Sequence, residues 1–501
     1  MPGDRHDALH CTSTAPAPHQ CLPAVIHVLE SLQLLTRVLN DNLSPSNQMA
    51  AVDFSRYKRI VQYLWDPEPT NLDSSDLPLW CLGDQYTAPS MPKQASVQPS
   101  VPSDMDLPSQ NTSHETPQKS DVEQPIQAVT PPESVAGGVS SSFSQEGTVS
   151  DVEDGGWPVA FLDDFESKLR FSYRSGFPVI PRSEDPKASS SMSFSVRLRS
   201  QLSDQGGFAS DTGWGCMIRS GQSLLANSMV ILRLSRGWRR GVGRDEEREI
   251  VSLFADDPRA PYSIHKFVEH GAKACGKYPG QWFGPSATAR CIQELSKRHE
   301  SADVRVYITG DGSDVYKDAF MSVAKPDGVN FKPTLILVGT RLGIDKVTPV
   351  YWEALKSSLQ MPQSVGIAGG RPSSSHYFVG VQGSHFFYLD PHQTMTALPF
   401  HTDVGKYTPA EIDSCHTRRL RRLHIKEMDP SMLIGFLIRD EKDWEAWSDD
   451  IMKFPGKGIV HIADNDPAQQ SRSHEREGAI DDVESFDEDD SEDYGEEPPH
   501  S

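Results

Sequence analysis

Residues Ser210–Met229 read SDTGWGCMIRSGQSLLANSM. Ser210, Asp211 and Thr212 are residue types that open helices, because their short oxygen-bearing side chains satisfy first-turn amides. Gly213 and Gly215 leave the backbone free to turn sharply. Beyond them Ile218, Gly221, Leu224, Leu225 and Leu232 follow helical spacing, which predicts a helix over Met217–Leu234 with Cys216 in its first turn. Unpaired amides and the positive end of the helix dipole favour a thiolate there. The glycine before Cys216 lets a substrate backbone approach, and the Cys216 amide is available to the oxyanion of a tetrahedral intermediate. A buried structural thiol fits the same pattern, since free cysteine is among the most buried residue types.

Downstream, Ser384–Thr394 reads SHFFYLDPHQT. Gln382, Gly383 and Ser384 suit a hairpin turn, with Tyr377–Val381 on one side and His385–Leu389 on the other. Asp390 and His392, two residues apart, leave the same face of an extended chain. Pro391 cannot donate to a sheet ladder, which puts the pair at a strand end. A carboxylate beside an imidazole fixes its tautomer and stabilises the imidazolium, the orienting role in a catalytic triad. A turn aspartate beside a half-exposed histidine is the simpler alternative. A rival chemistry joins His385 to Asp390 and His392 as metal ligands, but alternation turns His385 to the other face.

The rest of the chain sets the frame. It has 501 residues, of which 37% are apolar, with 36 Gly, 38 Pro and a net charge of -22. That charge opposes general binding to nucleic acid or anionic membrane, which needs an excess of Lys and Arg. Half of it sits between Asp481 and Glu497, where eleven residues are acidic and none is basic. The seven cysteines are scattered, odd in number and form no C-x-x-C pair, so a zinc site, a disulfide framework and a cofactor are not expected. No apolar run approaches the roughly 20 residues that span a bilayer. Leu22–Leu39 is broken by His27, Glu30 and Arg37, and a cytoplasmic address is the expectation.

Composition divides the chain into an extension over 1–50, a first core-like piece over 51–86, and a disordered Ser/Pro-rich insert over 87–155. The main core-like domain then runs over 156–460, followed by a disordered acidic tail over 461–501. Helical spacing marks Phe54–Leu64, Ile264–Cys275 and Ala287–Leu295. Strand-like runs lie at Val304–Ile308, Thr334–Val338, Tyr377–Val381, Phe386–Leu389 and Met432–Ile438. Helices followed by strands on tight turns predict an α+β fold with a largely antiparallel sheet. Tyr278–Ser286 (YPGQWFGPS) reads as a loop presenting Trp282, and Ala368–Ser375 (AGGRPSSS) as a mobile loop.

Together these segments resemble the autophagins, the autophagy-related cysteine peptidases that process the ubiquitin-like modifier of autophagosome membranes. The resemblance rests on YLWDPEP (Tyr63–Pro69), WCLGDQY (Trp80–Tyr86), FSYRSGFP (Phe171–Pro178), SDTGWGCMIRSGQ (Ser210–Gln222), GQWFGPS (Gly280–Ser286), GGRPSSSHYFVG (Gly369–Gly380) and YLDPHQT (Tyr388–Thr394). It implies a papain-like fold with Cys216 as nucleophile, His392 as base and Asp390 as orienter. Tyr173 would lend its hydroxyl to the oxyanion hole, and Trp282 would cover the cleft. Gly369, Gly370, Arg371 and Pro372 would belong to a flap closing over the free enzyme. The implied reaction is cleavage after a glycine near the modifier's C-terminus, in the soluble precursor and in the conjugate with phosphatidylethanolamine. The implied setting is the cytoplasm and the autophagosome assembly site, with transient membrane contact through the lipidated substrate. The alternative of another class is an inert modifier-binding adaptor, against which an intact Cys216, Asp390 and His392 argue; a metal-dependent hydrolase is a third. No aromatic-x-x-aliphatic docking motif follows Asp440, and Tyr57-x-x-Ile60 falls in the expected core helix. Translation from Met49 is expected to give a complete enzyme.

Deleting residues 90–150, or the segment after Pro467, is expected to leave the thermal transition and the peptidase rate on a soluble substrate nearly unchanged. A fall in melting temperature of several degrees would put those residues inside the fold.

Overall fold

Alternating apolar runs after residue 300 become strands, and the longer helical stretches before it pack over them. The computed structural model describes residues 68–71, 77–87, 154–190, 192–193, 196–198, 206–299, 301, 304–310, 312–371 and 374–465. The extension over 1–50, the expected helix Phe54–Leu64 with Tyr57 and Ile60, most of the insert and the acidic tail lie outside the described residues.

In chain order the strands are β1 (Leu79–Cys81), β2 (Asp84–Tyr86), β3 (Arg174–Pro181), β4 (Gly207–Ser210), β5 (Arg305–Ile308), β6 (Asp314–Tyr316), β7 (Thr334–Arg341), β8 (Ser364–Arg371), β9 (Ser374–Gln382), β10 (His385–Leu389), β11 (Met395–Thr396), β12 (Arg422–His424), β13 (Ser431–Ile438) and β14 (His461–Ala463). The main sheet runs β12-β10-β9-β8-β13-β7-β5, with β1 also pairing β9 and β2. Its pairings are antiparallel except β5 with β7. A smaller sheet orders β11-β3-β4, and β6 pairs with β14. The mixed α+β architecture agrees with the expectation from sequence.

Central strand β13 (SMLIGFLI) is buried throughout, as a strand covered on both faces must be. Neighbouring residues on it point opposite ways. Gly435 faces Leu224 of helix α2, while Phe436 meets Trp447 on the other side with ring centroids 5.4 Å apart. The helices used below are α1 (Val159–Ser167), α2 (Cys216–Arg233), α3 (Ile264–His270), α4 (Pro285–Arg298), α5 (Trp352–Gln360) and α6 (Glu441–Lys453). Helices α2 and α4 share one face of the sheet, and α6, which carries Trp447, covers the other. Among the described residues no helix is long and apolar enough to cross a membrane.

Sequence and structure differ in three places. Helix α2 begins at Cys216 with Gly215 as its cap, and Asp211 caps nothing with its side chain. Its carbonyl instead accepts from the amides of Trp214 and Gly215, freeing the carboxylate for other partners. The helix expected over Ile264–Cys275 ends as α3 at His270 and widens into a π turn over Gly271–Cys275, where Phe283 presses against Gly271. The loop expected over Ala368–Ser375 is mostly strand: residues up to Arg371 belong to β8 and those from Ser374 to β9. Its glycines serve close approach rather than mobility, since a Cβ on Gly370 would stand 2.1 Å from the Ser374 carbonyl.

Helices α2 and α4 cross at Gly221, where a Cβ would sit 2.4 Å from Thr288 Cγ2. Gly221→Ala gains about 1 kcal/mol of helix propensity in principle. Overpacking of this crossing is expected to reverse that sign, lowering the unfolding free energy by about 1–3 kcal/mol in denaturant titration. Thr288→Ser, which removes the obstructing methyl, should recover most of the loss.

Candidate active site

Several elements converge where α2 begins. Burial of Phe171, Tyr173 and Phe177 anchors the segment entering β3. Directly after His392 the chain zips onto that segment, because β11 pairs in parallel with β3. The Tyr173 amide donates to the Pro391 carbonyl at 2.7 Å, and the Met395 amide donates to the Tyr173 carbonyl at 2.9 Å. Thr212 and Thr394 hydroxyls meet at 2.9 Å, linking the turn before Cys216 to the turn after His392. Arg170 donates a guanidinium hydrogen to the Asp390 carbonyl at 3.3 Å. The base turn, the Tyr173 segment and the start of α2 are therefore one hydrogen-bonded unit.

Within it, Asp390 Oδ1 lies 2.6 Å from His392 Nδ1 and accepts from the His392 amide at 3.0 Å. The short bond makes Nδ1 the protonated nitrogen and leaves Nε2 to face the thiol. The imidazole hydrogen-bonds to Cys216, and Nε2 also lies 3.1 Å from the Ser374 hydroxyl. Tyr173 sends its hydroxyl to the same thiol and sets its ring edge-on to His392 at 5.4 Å. Trp282 donates its indole N–H to Cys216 Sγ at 3.3 Å. The loop carrying Trp282 is held by Gly280, whose φ of +85° suits glycine and whose bare Cα lets Phe208 approach.

These contacts decide the charge state. Burial by itself raises the thiol's affinity for its proton, yet Cys216 ends below the ordinary cysteine value. The bond and positive charge of His392, the Ser375 amide and the Tyr173 hydroxyl outweigh burial. His392 is opposed by burial too, but Asp390 and Cys216 draw it up to about 9. Asp390 is held well below the usual carboxylate range: burial works against this, and the His392 bond and the nearby His376 prevail. Burial and the thiol beside it push Tyr173 far above the ordinary phenol value, so it remains a donor. A thiolate–imidazolium pair is the resting state this arrangement favours, with a proton on His392 ready for a leaving group.

Of the residues singled out from sequence, Cys216, His392, Asp390, Tyr173 and Trp282 come together. Gly369 and Gly370 lie on β8, opposite His376 and Ser375 of β9. The Arg371 side chain and Pro372 lie outside the described residues. His385 does not join Asp390 and His392: it sits at the far end of β10, ring to ring with His424 at 5.1 Å. As alternation required, His385 is turned away; His376 lies beside the pair instead, with Nε2 4.0 Å from Asp390 Oδ1 and its ring 5.1 Å from that of His392. The sequence does not single out His376 and Ser374, because both precede the strand expected over Tyr377–Val381, although both belong to β9. Their only signal was the Ser-Ser-Ser-His run at the start of β9.

Residues 158–450 match the Peptidase C54 catalytic domain family. The chain is 64% identical over 443 residues to the probable cysteine protease atg4 of Sclerotinia sclerotiorum, covering 88% of this chain and 98% of that one. Identity is likewise 64% over 443 residues to the probable cysteine protease atg4 of Botryotinia fuckeliana, with the same coverage. It is 55% over 484 residues to the cysteine protease ATG4 of Pyricularia oryzae, covering 88% and 97%.

The alkaline limb of kcat/KM on any amide substrate is expected near pH 9, where His392 loses the proton it must donate. Asp390→Asn removes the negative charge that helps raise His392 and should move that limb to lower pH while lowering kcat by orders of magnitude. An alkaline limb unmoved by the substitution would separate Asp390 from the base.

Proposed function

The chain belongs to the C54 family of cysteine peptidases, the autophagins, and from that premise we propose that it cleaves after a glycine near the C-terminus of the ubiquitin-like modifier of autophagosome membranes. One substrate is the newly made precursor, whose C-terminal extension is removed. The other is the modifier joined through that glycine to phosphatidylethanolamine, which is released by the same hydrolysis. The work is assigned to the cytoplasm and to the autophagosome assembly site, with the membrane met through the lipidated substrate.

The geometry supports the following roles. The Cys216 thiolate adds to the glycine carbonyl carbon, and negative charge passes to the carbonyl oxygen. The Cys216 amide and the Tyr173 hydroxyl stabilise that oxyanion. His392 gives its proton to the departing nitrogen as the carbon–nitrogen bond breaks, leaving a thioester on Cys216 and a free amine. Neutral His392, still oriented by Asp390, then takes a proton from water as the water oxygen attacks the thioester. The carbon–sulfur bond breaks, the glycine carboxylate leaves, and the thiolate–imidazolium pair returns. Peptide and phosphatidylethanolamine leaving groups are both amines, so one proton donor serves both.

Glycine selection is assigned to Trp282 and the hairpin tip around Gly369, Gly370, Arg371 and Pro372. An indole already hydrogen-bonded to the nucleophile leaves little width above Sγ, and a side chain on the acyl residue would meet it. The observation that supports the whole reading most directly is the meeting of Cys216, His392, Asp390 and Tyr173 beneath Trp282 in a chain of this family.

Incubating the full chain with a purified modifier precursor and weighing the product tests the proposal. The expected product ends at glycine, the Cys216→Ala protein yields none, and liposome-bound conjugate is released at the same bond. Trp282→Ala should narrow the preference for glycine over alanine by roughly tenfold, about the 1.4 kcal/mol worth of a methyl-sized contact. A product ending elsewhere, or turnover by Cys216→Ala, would overturn the assignment.

A further inference from the structure

His376 is not needed for the peptidase steps, yet it is buried against the orienting carboxylate. We propose that His376, Asp390 and His392 form a binding site for one zinc-class divalent cation, and that its occupancy withdraws His392 from catalysis.

The donor set carries the inference. One nitrogen from each imidazole and one carboxylate oxygen lie within 4.8 Å of one another. Nδ1 of His392 is 2.6 Å from Asp390 Oδ1, and Nε2 of His376 is 4.0 Å from the same oxygen. Ligand atoms about 2.0 Å from a tetrahedral zinc stand roughly 3.3 Å apart; the two separations to Asp390 Oδ1 lie on either side of that, and the two imidazole nitrogens are within 4.8 Å of each other. His376 brings the rigidity such a site needs: its side chain is only 8% exposed, on β9, and its ring meets Tyr388 edge to face at 4.3 Å. Asp390 and His392 retain 36% and 27% exposure, which leaves an entry path and room for water as a further ligand. Two imidazoles and one carboxylate suit zinc, cobalt or nickel rather than magnesium or calcium, which take oxygen ligands.

The chemical consequence is specific. In the resting pair both ring nitrogens of His392 carry protons. A metal bound at Nδ1 displaces that proton to solvent and leaves Nε2–H in place. Neutral but metallated, the ring has no lone pair left to accept a proton from water, so the thioester on Cys216 cannot be hydrolysed through it. Asp390, now a ligand, no longer orients the base. The inference concerns the base and not the substrate, so it stands or falls separately from the modifier assignment. Its rival is a metal held by the Cys216 thiolate together with His392, which needs no His376.

Cobalt titration of the full-length Cys216→Ala protein distinguishes the two. One equivalent is expected to bind, with visible d–d absorption, no thiolate charge-transfer band, and displacement by zinc. Adding His376→Asn should weaken binding at least tenfold, and in the enzyme with Cys216 intact it should raise the zinc concentration for half-inhibition by a similar factor. Because that variant could unfold, ring nitrogen NMR of the Cys216→Ala protein gives a second reading. Zinc should shift the His376 and His392 rings together at one equivalent. Undiminished binding in a folded His376→Asn protein, a shift of His392 alone, or binding that vanishes without Cys216 would overturn the proposal.

Discussion

The Arg219 guanidinium is fully buried one turn into α2, and the active site is assembled around the charge it needs for company. It donates to Asp211 Oδ2 and to Asp256 Oδ1, each at 2.7 Å, and to Gln222 Oε1 at 3.1 Å. Both carboxylates also reach outward. Asp211 Oδ1 accepts from the Arg174 amide at 2.6 Å, next to Tyr173. Asp256 Oδ2 accepts from the Leu398 amide at 2.9 Å, just past the turn that carries His392. Arg174 completes the ring by donating to the Thr396 carbonyl at 2.9 Å and the Ser414 hydroxyl at 3.0 Å. Charges without water must be paired, and breaking one such pair from one side costs about 3–5 kcal/mol. The nucleophile's helix, the Tyr173 segment and the base turn thus cannot drift apart without exposing an unpaired buried charge.

That scaffold explains how a buried thiol comes to be ionised. Burial raises Cys81 and Cys415, and a neighbouring thiol together with burial raises Cys291. Cys216 is as deeply buried and moves the other way, because it is ringed by donors and a cation rather than by hydrocarbon. Exposure therefore does not mark the reactive cysteine in this fold; the company of the sulfur does. The same enclosure narrows the approach to Cys216, since Trp282 donates to the sulfur from above and Ser374 occupies the outer side of His392. A narrow approach to the sulfur and its ionisation then share one cause, a thiol surrounded at close range.

The hairpin of β8 and β9 shows a second use of glycine. Gly369 and Gly370 let this hairpin pack against β13 and fold tightly on itself, with Met432 and Ser374 where side chains would otherwise stand. At its root the two strands are joined by ladder bonds, and the Ser374 hydroxyl on β9 meets His392 Nε2 at 3.1 Å.

The local features of the chain are legible in its sequence. Gly213, Gly215 and the spacing after Cys216 announce a cysteine at a helix start, and Asp390-Pro391-His392 announces a pair at a strand end, because these depend on neighbours in sequence. The apolar runs likewise marked β7, β9, β10 and β13, while the glycine-rich β8 read as a loop. What lay beyond reach were long-range pairings: Arg219 with Asp256, the β11–β3 zipper, and His376 rather than His385 beside Asp390. A strand's period says which residues share its face, but not which strand lies alongside it. Only the register of β9 against β10, with Tyr377 opposite Leu389, brings His376 to the carboxylate and carries His385 to the far end.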